Sequence, residues 1–206
     1  ARLKFLFNCF NEVKFLIRTP SLRRAKIVAS VQVRMGSSRL PGKTMLEVKG
    51  KPLLGYLLGR LQQCKYLDEI VVATSIRPEN DQIEEYCQSW GVNCFRGSEE
   101  DVLERTLMAL ESRSAEIGVE VFGDGPLIDP VLVDEIVCFF LENRRYDFVG
   151  NDLETTYPPG MEVEVFRVSA LADSAKKTKT AGIREHGTLF LRTNPEIYCI
   201  KNIRAP

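Results

Sequence analysis

The stretch Lys26-Ile-Val-Ala-Ser-Val-Gln-Val-Arg-Met-Gly-Ser-Ser-Arg-Leu-Pro-Gly-Lys-Thr44 decides the fold. Its first half, Ile27 to Val33, is a short apolar run of the kind that forms a strand buried on both faces. Its second half concentrates what a polyphosphate needs. Gly36 and Gly42 let the backbone approach closely, backbone amides with Ser37 and Ser38 offer hydrogen bonds, and Arg34, Arg39 and Lys43 supply positive charge. A loop at the carboxyl end of a first strand sits where open α/β sheets bind ligands, and a nucleotide triphosphate suits it. The plain alternative is a solvated basic turn.

Gly36 and Gly42-Lys43-Thr44 invite comparison with the Walker A loop, but the count is wrong by one residue. A Walker A loop also runs directly into a helix whose N-terminus faces the phosphates. Here Met45-Leu-Glu-Val-Lys-Gly-Lys-Pro52 intervenes, so a P-loop is rejected.

Downstream, apolar runs alternate with amphipathic stretches, as in βαβ units that share a parallel sheet. Leu53, Leu54, Leu57, Leu58 and Leu61 mark one face of a helix, and Glu69 to Ser75 reads as the second strand. Asp81 to Trp90 reads as a helix closed by Gly91, followed by a strand over Val92 to Phe95. Ser98 is expected to open the next helix, with Asp101 at its third position in a capping-box-like arrangement. Ile117 to Phe122 is a strand, Pro130 to Asn143 a helix, and Tyr146 to Gly150 closes this set. After Asn151 the rhythm changes. Met161-Glu-Val-Glu-Val-Phe166 alternates like a half-exposed strand, and a small appendage is expected over about 151–195, with an antiparallel strand and helices near 168–179 and 184–193.

Composition bounds the function. At 206 residues, 44% hydrophobic and 27% charged, the chain is long enough for one buried core and has no disordered character. Its 28 basic and 28 acidic residues balance, which removes the electrostatic case for nucleic-acid binding. Cys9, Cys64, Cys87, Cys94, Cys138 and Cys199 form no C-x-x-C pair; they read as reduced thiols of a cytoplasmic protein, and a structural zinc site is not expected. Residues 1–25 form a basic amphipathic extension, with Leu3, Leu6, Phe10, Val13 and Ile17 on one helical face. It is too short and polar to span a bilayer. Packing on the core is expected of it rather than docking on a membrane.

A second constellation is Val121-Phe-Gly-Asp-Gly-Pro-Leu-Ile-Asp129. Asp124, at a strand end before a Gly-Pro turn, can offer a hard oxygen ligand to a Mg2+ that already carries phosphates. A turn or cap role is the alternative.

Taken together, residues 31–43, Gly50-Lys-Pro-Leu-Leu54, Ile70-Val-Val-Ala-Thr-Ser75, Phe95-Arg-Gly-Ser-Glu-Glu-Asp-Val-Leu-Glu-Arg105, Gly123-Asp-Gly-Pro-Leu-Ile-Asp129 and Arg184-Glu-His186 resemble the cytidylyltransferases that activate sialic-acid-type and 3-deoxy-ulosonic sugars. The spore-coat polysaccharide biosynthesis F-like branch is the most similar. The resemblance covers about residues 27–204. It implies a Rossmann-like, three-layer α/β nucleotidyltransferase fold with a mostly parallel sheet, spanning 26–206. It further implies CTP and an acidic sugar as substrates, Mg2+ as cofactor and a homodimer.

Carried onto this sequence, Arg34, Met35, Gly36, Ser37, Ser38, Arg39 and Lys43 would hold the triphosphate, with Arg34, Lys43 and Asp124 as the catalytic set and Asp124 on the metal. Ala73, Thr74, Ser98 and Asp101 would meet base and ribose. Glu162, Glu164, Arg184 and His186 would face the sugar or the partner subunit. Each of the last eight has a plain reading as well: strand end, helix cap, wet strand face, surface ion pair or structural imidazole. The family's later Val-Asp-x-Pro-x-Asp segment has no counterpart up to Pro206, and Gly125 and Gly187-Thr-Leu189 stand where Cys and Val-Thr-Pro are common. Three readings therefore stand: a CTP-dependent cytidylyltransferase, a catalytically weak nucleotide-binding module of a larger protein, and a glycosyltransferase. The last lacks the usual Asp-x-Asp.

Overall fold

The computed structural model describes residues 25–36 and 40–206. The face from Leu3 to Ile17, with Ser37, Ser38 and Arg39, lies outside the described residues. The first strand, β1 (Ile27–Gln32), has neighbours on both sides and shows almost no exposed surface. Its side chains alternate between two apolar clusters, with Ile27, Ala29 and Val31 on one face and Val28 on the other. Such a strand needs helices on both sides of the sheet. They are α1 (Leu53–Leu61), which buries Leu54, Leu57, Leu58 and Leu61 with the first cluster, and α3 (Val102–Ser112), which buries Leu103, Ala109 and Leu110 in the second. Each leucine buried in this way contributes about 1.5–3 kcal/mol.

Between β1 and α1, Lys43–Met45 makes a single 3₁₀ turn, and β2 (Glu47–Val48) and β3 (Lys51–Pro52) pair as a hairpin. Its two-residue turn has positive φ at Lys49 (52°) and Gly50 (73°), the pattern of a type I′ turn. The chain thus leaves the loop through a hairpin, unlike a Walker A loop.

The central sheet has seven strands. β4 (Glu69–Ser75) pairs parallel with β1 and with β5 (Asn93–Gly97), and β6 (Ile117–Phe122) pairs parallel with the other side of β1. α2 (Asp81–Ser89) and α4 (Pro130–Glu142) complete the connections. The order β5-β4-β1-β6 means that the chain builds outward from β1 on one side and returns on the other. The carboxyl ends of β1 and β6 therefore flank a topological switch point.

Two expectations are corrected here. The N-cap of α3 is Asp101, whose carboxylate accepts the Glu104 N–H at 2.9 Å, while Ser98 Oγ accepts from Asp101 N at 3.0 Å one turn earlier. The strand read as half-exposed, β8 (Val163–Arg167), is buried along nearly its whole length. It lies inside the main sheet, antiparallel to β6 and to β7 (Phe148–Gly150), and β9 (Ile200–Asn202) closes the edge parallel to β7. The physical reason is that α5 (Val168–Lys177) and α7 (Leu189–Thr193), with α6 (Ala181–Arg184) between them, roof this part of the sheet. Glu164 therefore alternates into the interior instead of into water.

Candidate active site

A cleft of about 370 Å³ opens over the switch point. One wall is the loop after β1. Gly42, at φ 72°, donates its N–H to the Met35 carbonyl at 2.8 Å, and Met35 N–H is held by Asn80 Oδ1 at 2.9 Å, so the two described ends of the loop are tied together. Gly36 is exposed between them. This arrangement projects Lys43 across the cleft to Asp124, at the end of β6, with Nζ to Oδ2 at 2.8 Å. Arg34, also exposed, donates to Glu99 Oε1 at 2.9 Å. Burial works to raise the Glu99 carboxyl, but hydrogen bonds from Ser75 and Arg34 and the charges of Arg34 and Arg77 hold it below the usual carboxylate range.

The residues assigned to base and ribose sit apart from this opening. Ala73 and Thr74 are fully buried in β4, and Thr74 Oγ1 has no hydrogen-bond partner among the described residues. Asp101 and Arg184, assigned separately to ribose and sugar, are bonded to each other at 2.7 Å. Arg184 also donates to the carbonyls of Ala175 and Thr178, so it clasps the start of α3 to the C-terminal end of α5. Glu162 accepts the Gly160 N–H at 2.8 Å. That turn packs on Gly125, where an added Cβ would meet the Gly160 carbonyl oxygen at 2.7 Å, which accounts for a glycine there. His186 is exposed on the cleft rim beside Glu185 at 3.4 Å.

Beneath the rim lies a group of residues that periodicity did not reveal. Gln32, Arg105, Glu120, Thr188 and Arg192 line the floor. Arg105 is 3% exposed and donates to Gln32 Oε1 at 3.1 Å and the Ser98 carbonyl at 2.5 Å. Glu164, wholly buried, accepts from Thr188 Oγ1 at 2.5 Å and lies 3.2 Å from Arg192, which also binds Asp152. Burial, then Asp152 and Glu120, push the Glu164 carboxyl well above the usual range. The one available signal was Glu120 itself, a charged residue in the middle of an apolar strand.

For a metal, the donor set is spare. Asp124 offers a half-exposed carboxylate, and no group of three acidic, His or Cys side chains that could hold an ion occurs among the described residues. Mg2+ usually keeps several waters and takes one or two carboxylates plus substrate phosphates, so Asp124 fits a metal that arrives with the nucleotide.

A switch-point cleft with a backbone-tied glycine loop, cations on one wall and a carboxylate on the other defines a nucleotide-binding α/β protein. The chain belongs to the cytidylyltransferase family, whose sequence signature matches residues 28–204. It is 32% identical over 186 residues to the spore coat polysaccharide biosynthesis protein SpsF of Bacillus subtilis, covering 87% of this chain and 75% of the relative. To the 3-deoxy-manno-octulosonate cytidylyltransferase of Zea mays it is 29% identical over 169 residues, 78% of this chain and 53% of the maize protein. A solved cytidylyltransferase from Leptospira borgpetersenii serovar Hardjo-bovis superposes with a TM-score of 0.85 at 34% identity, covering 88% and 77% of the two chains. The fold is that of the α/β nucleotidyltransferases, and the protein is a CTP-dependent member of that class.

Proposed function

We propose that this cleft transfers CMP from CTP to a hydroxyl of an acidic sugar for polysaccharide or glycan synthesis. The observation that carries the reading is the Lys43–Asp124 pair, which spans the cleft from the loops that follow two adjacent parallel strands. In the reaction the sugar oxygen forms a bond to the α-phosphorus, the bond from that phosphorus to the β-phosphate oxygen breaks, pyrophosphate leaves, and the hydroxyl proton passes to solvent. Such a displacement needs positioning and neutralisation of charge rather than a covalent intermediate. Lys43 and Arg34 would exchange their carboxylate partners for phosphate oxygens, a low-energy exchange because both pairs are partly exposed. The glycine loop would set the triphosphate against them. Asp124 would hold Mg2+, which supplies further neutralisation of the phosphates when bound.

An acidic acceptor is supported by the maize relative's named substrate. A homodimer and a cytoplasmic location belong to the same proposal, on family resemblance. The test is pyrophosphate release with each of the four ribonucleotides across a panel of 3-deoxy-ulosonic and nonulosonic acids. Release with CTP and at least one acid is expected. Silence across the panel, with CTP bound in calorimetry, would sink transfer to an acidic sugar.

A further inference from the structure

Arg105, near the start of α3, is 3% exposed, yet none of the described carboxylates contacts its guanidinium. Those of Glu99 and Glu120 act on it only through space. A buried cation with no bonded counter-ion is costly, so what it does for the fold must come through its hydrogen bonds. Those bonds are directed. Nε donates to Gln32 Oε1 at 3.1 Å, and Nη1 donates to the main-chain carbonyls of Ser98 at 2.5 Å and Glu99 at 3.4 Å. Gly97 leaves room for the stem, since an added Cβ there would lie 3.0 Å from Arg105 Cγ.

Both ends of this set lead to Arg34. Gln32 closes β1, with Arg34 following after Val33, and its own amide is held by donating to the buried Ser30 Oγ at 2.9 Å. Glu99 is the residue whose carboxylate receives Arg34 at 2.9 Å, with Arg77 at 3.8 Å. The contacts therefore close a ring that runs from Arg105 to Gln32, along the chain to Arg34, across to Glu99 and back through its carbonyl to Arg105. The Arg34 side chain is 47% exposed. Outside such a ring it would keep the rotamer freedom of a long surface side chain.

We propose that Arg105 is a positioning residue for the triphosphate wall, setting from beneath where Arg34 is presented to the nucleotide. The inference rests on the reading of Arg34 as a triphosphate contact. Already ordered on Glu99, Arg34 loses less side-chain freedom when it turns to a phosphate oxygen. The arrangement requires a guanidinium fork. A lysine at 105 carries the charge but cannot bond the Gln32 amide oxygen and two carbonyls in fixed directions.

The test is a double-mutant cycle on the affinity for CTP with Mg2+, read by calorimetry. Arg34→Ala should weaken CTP about 10- to 100-fold, through loss of one charge-assisted contact. Arg105→Met should weaken it about tenfold in the otherwise unaltered protein, as displacement of a binding group does. With alanine already at position 34 the same substitution should cost less than about twofold, because the two side chains act through one contact. Arg105→Lys should behave like Arg105→Met. Gln32→Leu, which removes one side of the ring, should show the same dependence on Arg34 and serves if Arg105→Met does not fold. A purely structural role would weaken CTP equally in both backgrounds. Such an additive cycle overturns the proposal, as does full CTP affinity in Arg105→Met or in Arg105→Lys. If Arg34→Ala alone leaves CTP binding unchanged, the reading of Arg34 as a phosphate contact falls first, and the positioning role with it.

Discussion

Lys43 and Asp124 meet at the mouth of the cleft with side chains 30% and 55% exposed, whereas Glu120, Glu164 and Asp152 gather around Arg192 almost out of contact with water. The first pair is weakly held. Water screens it, and its partners can be exchanged for phosphate at little cost. The second group is fixed, because a buried charge that loses its partner has no solvent to turn to. One cleft therefore has an exposed wall whose ion pair can be exchanged, above a buried and mutually paired group of charges.

Removing the floor's cation is the strongest way to break this contrast. Arg192→Met leaves Glu164 and Asp152 buried without a counter-ion and should lower stability by about 3–5 kcal/mol in urea denaturation. A loss below about 1 kcal/mol would show the floor to be as loosely held as the mouth. At the mouth the balance should reverse. Asp124→Asn or Lys43→Ala should reduce the rate of pyrophosphate release about 10²–10³-fold, as loss of one preorganised charge does elsewhere. Their stability should stay within about 1 kcal/mol of the original.

Between these extremes, Gly125→Ala tests whether the Asp124 turn is held by close packing. Its Cβ would meet backbone at 2.7 Å, and overpacking should cost about 1–3 kcal/mol by the same denaturation assay. An unchanged midpoint would show the turn free to move.

The smallest effect is one of pH. Glu120 is raised from the ordinary 4.5 to about 7 in the folded chain, so the native state binds the proton more tightly than the unfolded state does. That stabilisation is full below 4.5 and is lost as pH rises through about 7. Glu164, shifted the same way, acts with the same sign. The urea midpoint of Glu120→Gln relative to the original should therefore rise between these pH values and level off above them. A constant difference would mean that Glu120 titrates as an exposed carboxyl.

The contrast also sorts what was legible in sequence. The mouth was: Arg34, Lys43 and Asp124 stand in loops beside apolar strands, where local chemistry stands out, and the structure brings all three onto the cleft. The floor was not. Glu164 fitted the alternation of a half-exposed strand and read as solvated, and Glu120 sat unremarked in an apolar run. Arg105 looked like one more charge on a helix. Asp101 and Arg184 were visible individually, but they are 83 residues apart in the chain, and nothing local announces their 2.7 Å contact.

The main strands and helices over 26–150 followed from periodicity, though the hairpin of β2 and β3 did not, because a strand covered on both faces must be apolar at every position and a helix on one face must repeat its leucines by the turn. That Arg34 and Lys43 stand beside the end of the first strand was legible likewise, and the structure sets both on the cleft wall. Only tertiary structure decided that β8 enters the main sheet beside β6. That single pairing puts Glu164 opposite Glu120, beside Arg192 from α7, and turns an apparently wet strand into buried support beneath the cleft. Burial is a property of what packs above a residue, and for the Glu164 face of β8 the covering helices lie downstream of it in the chain.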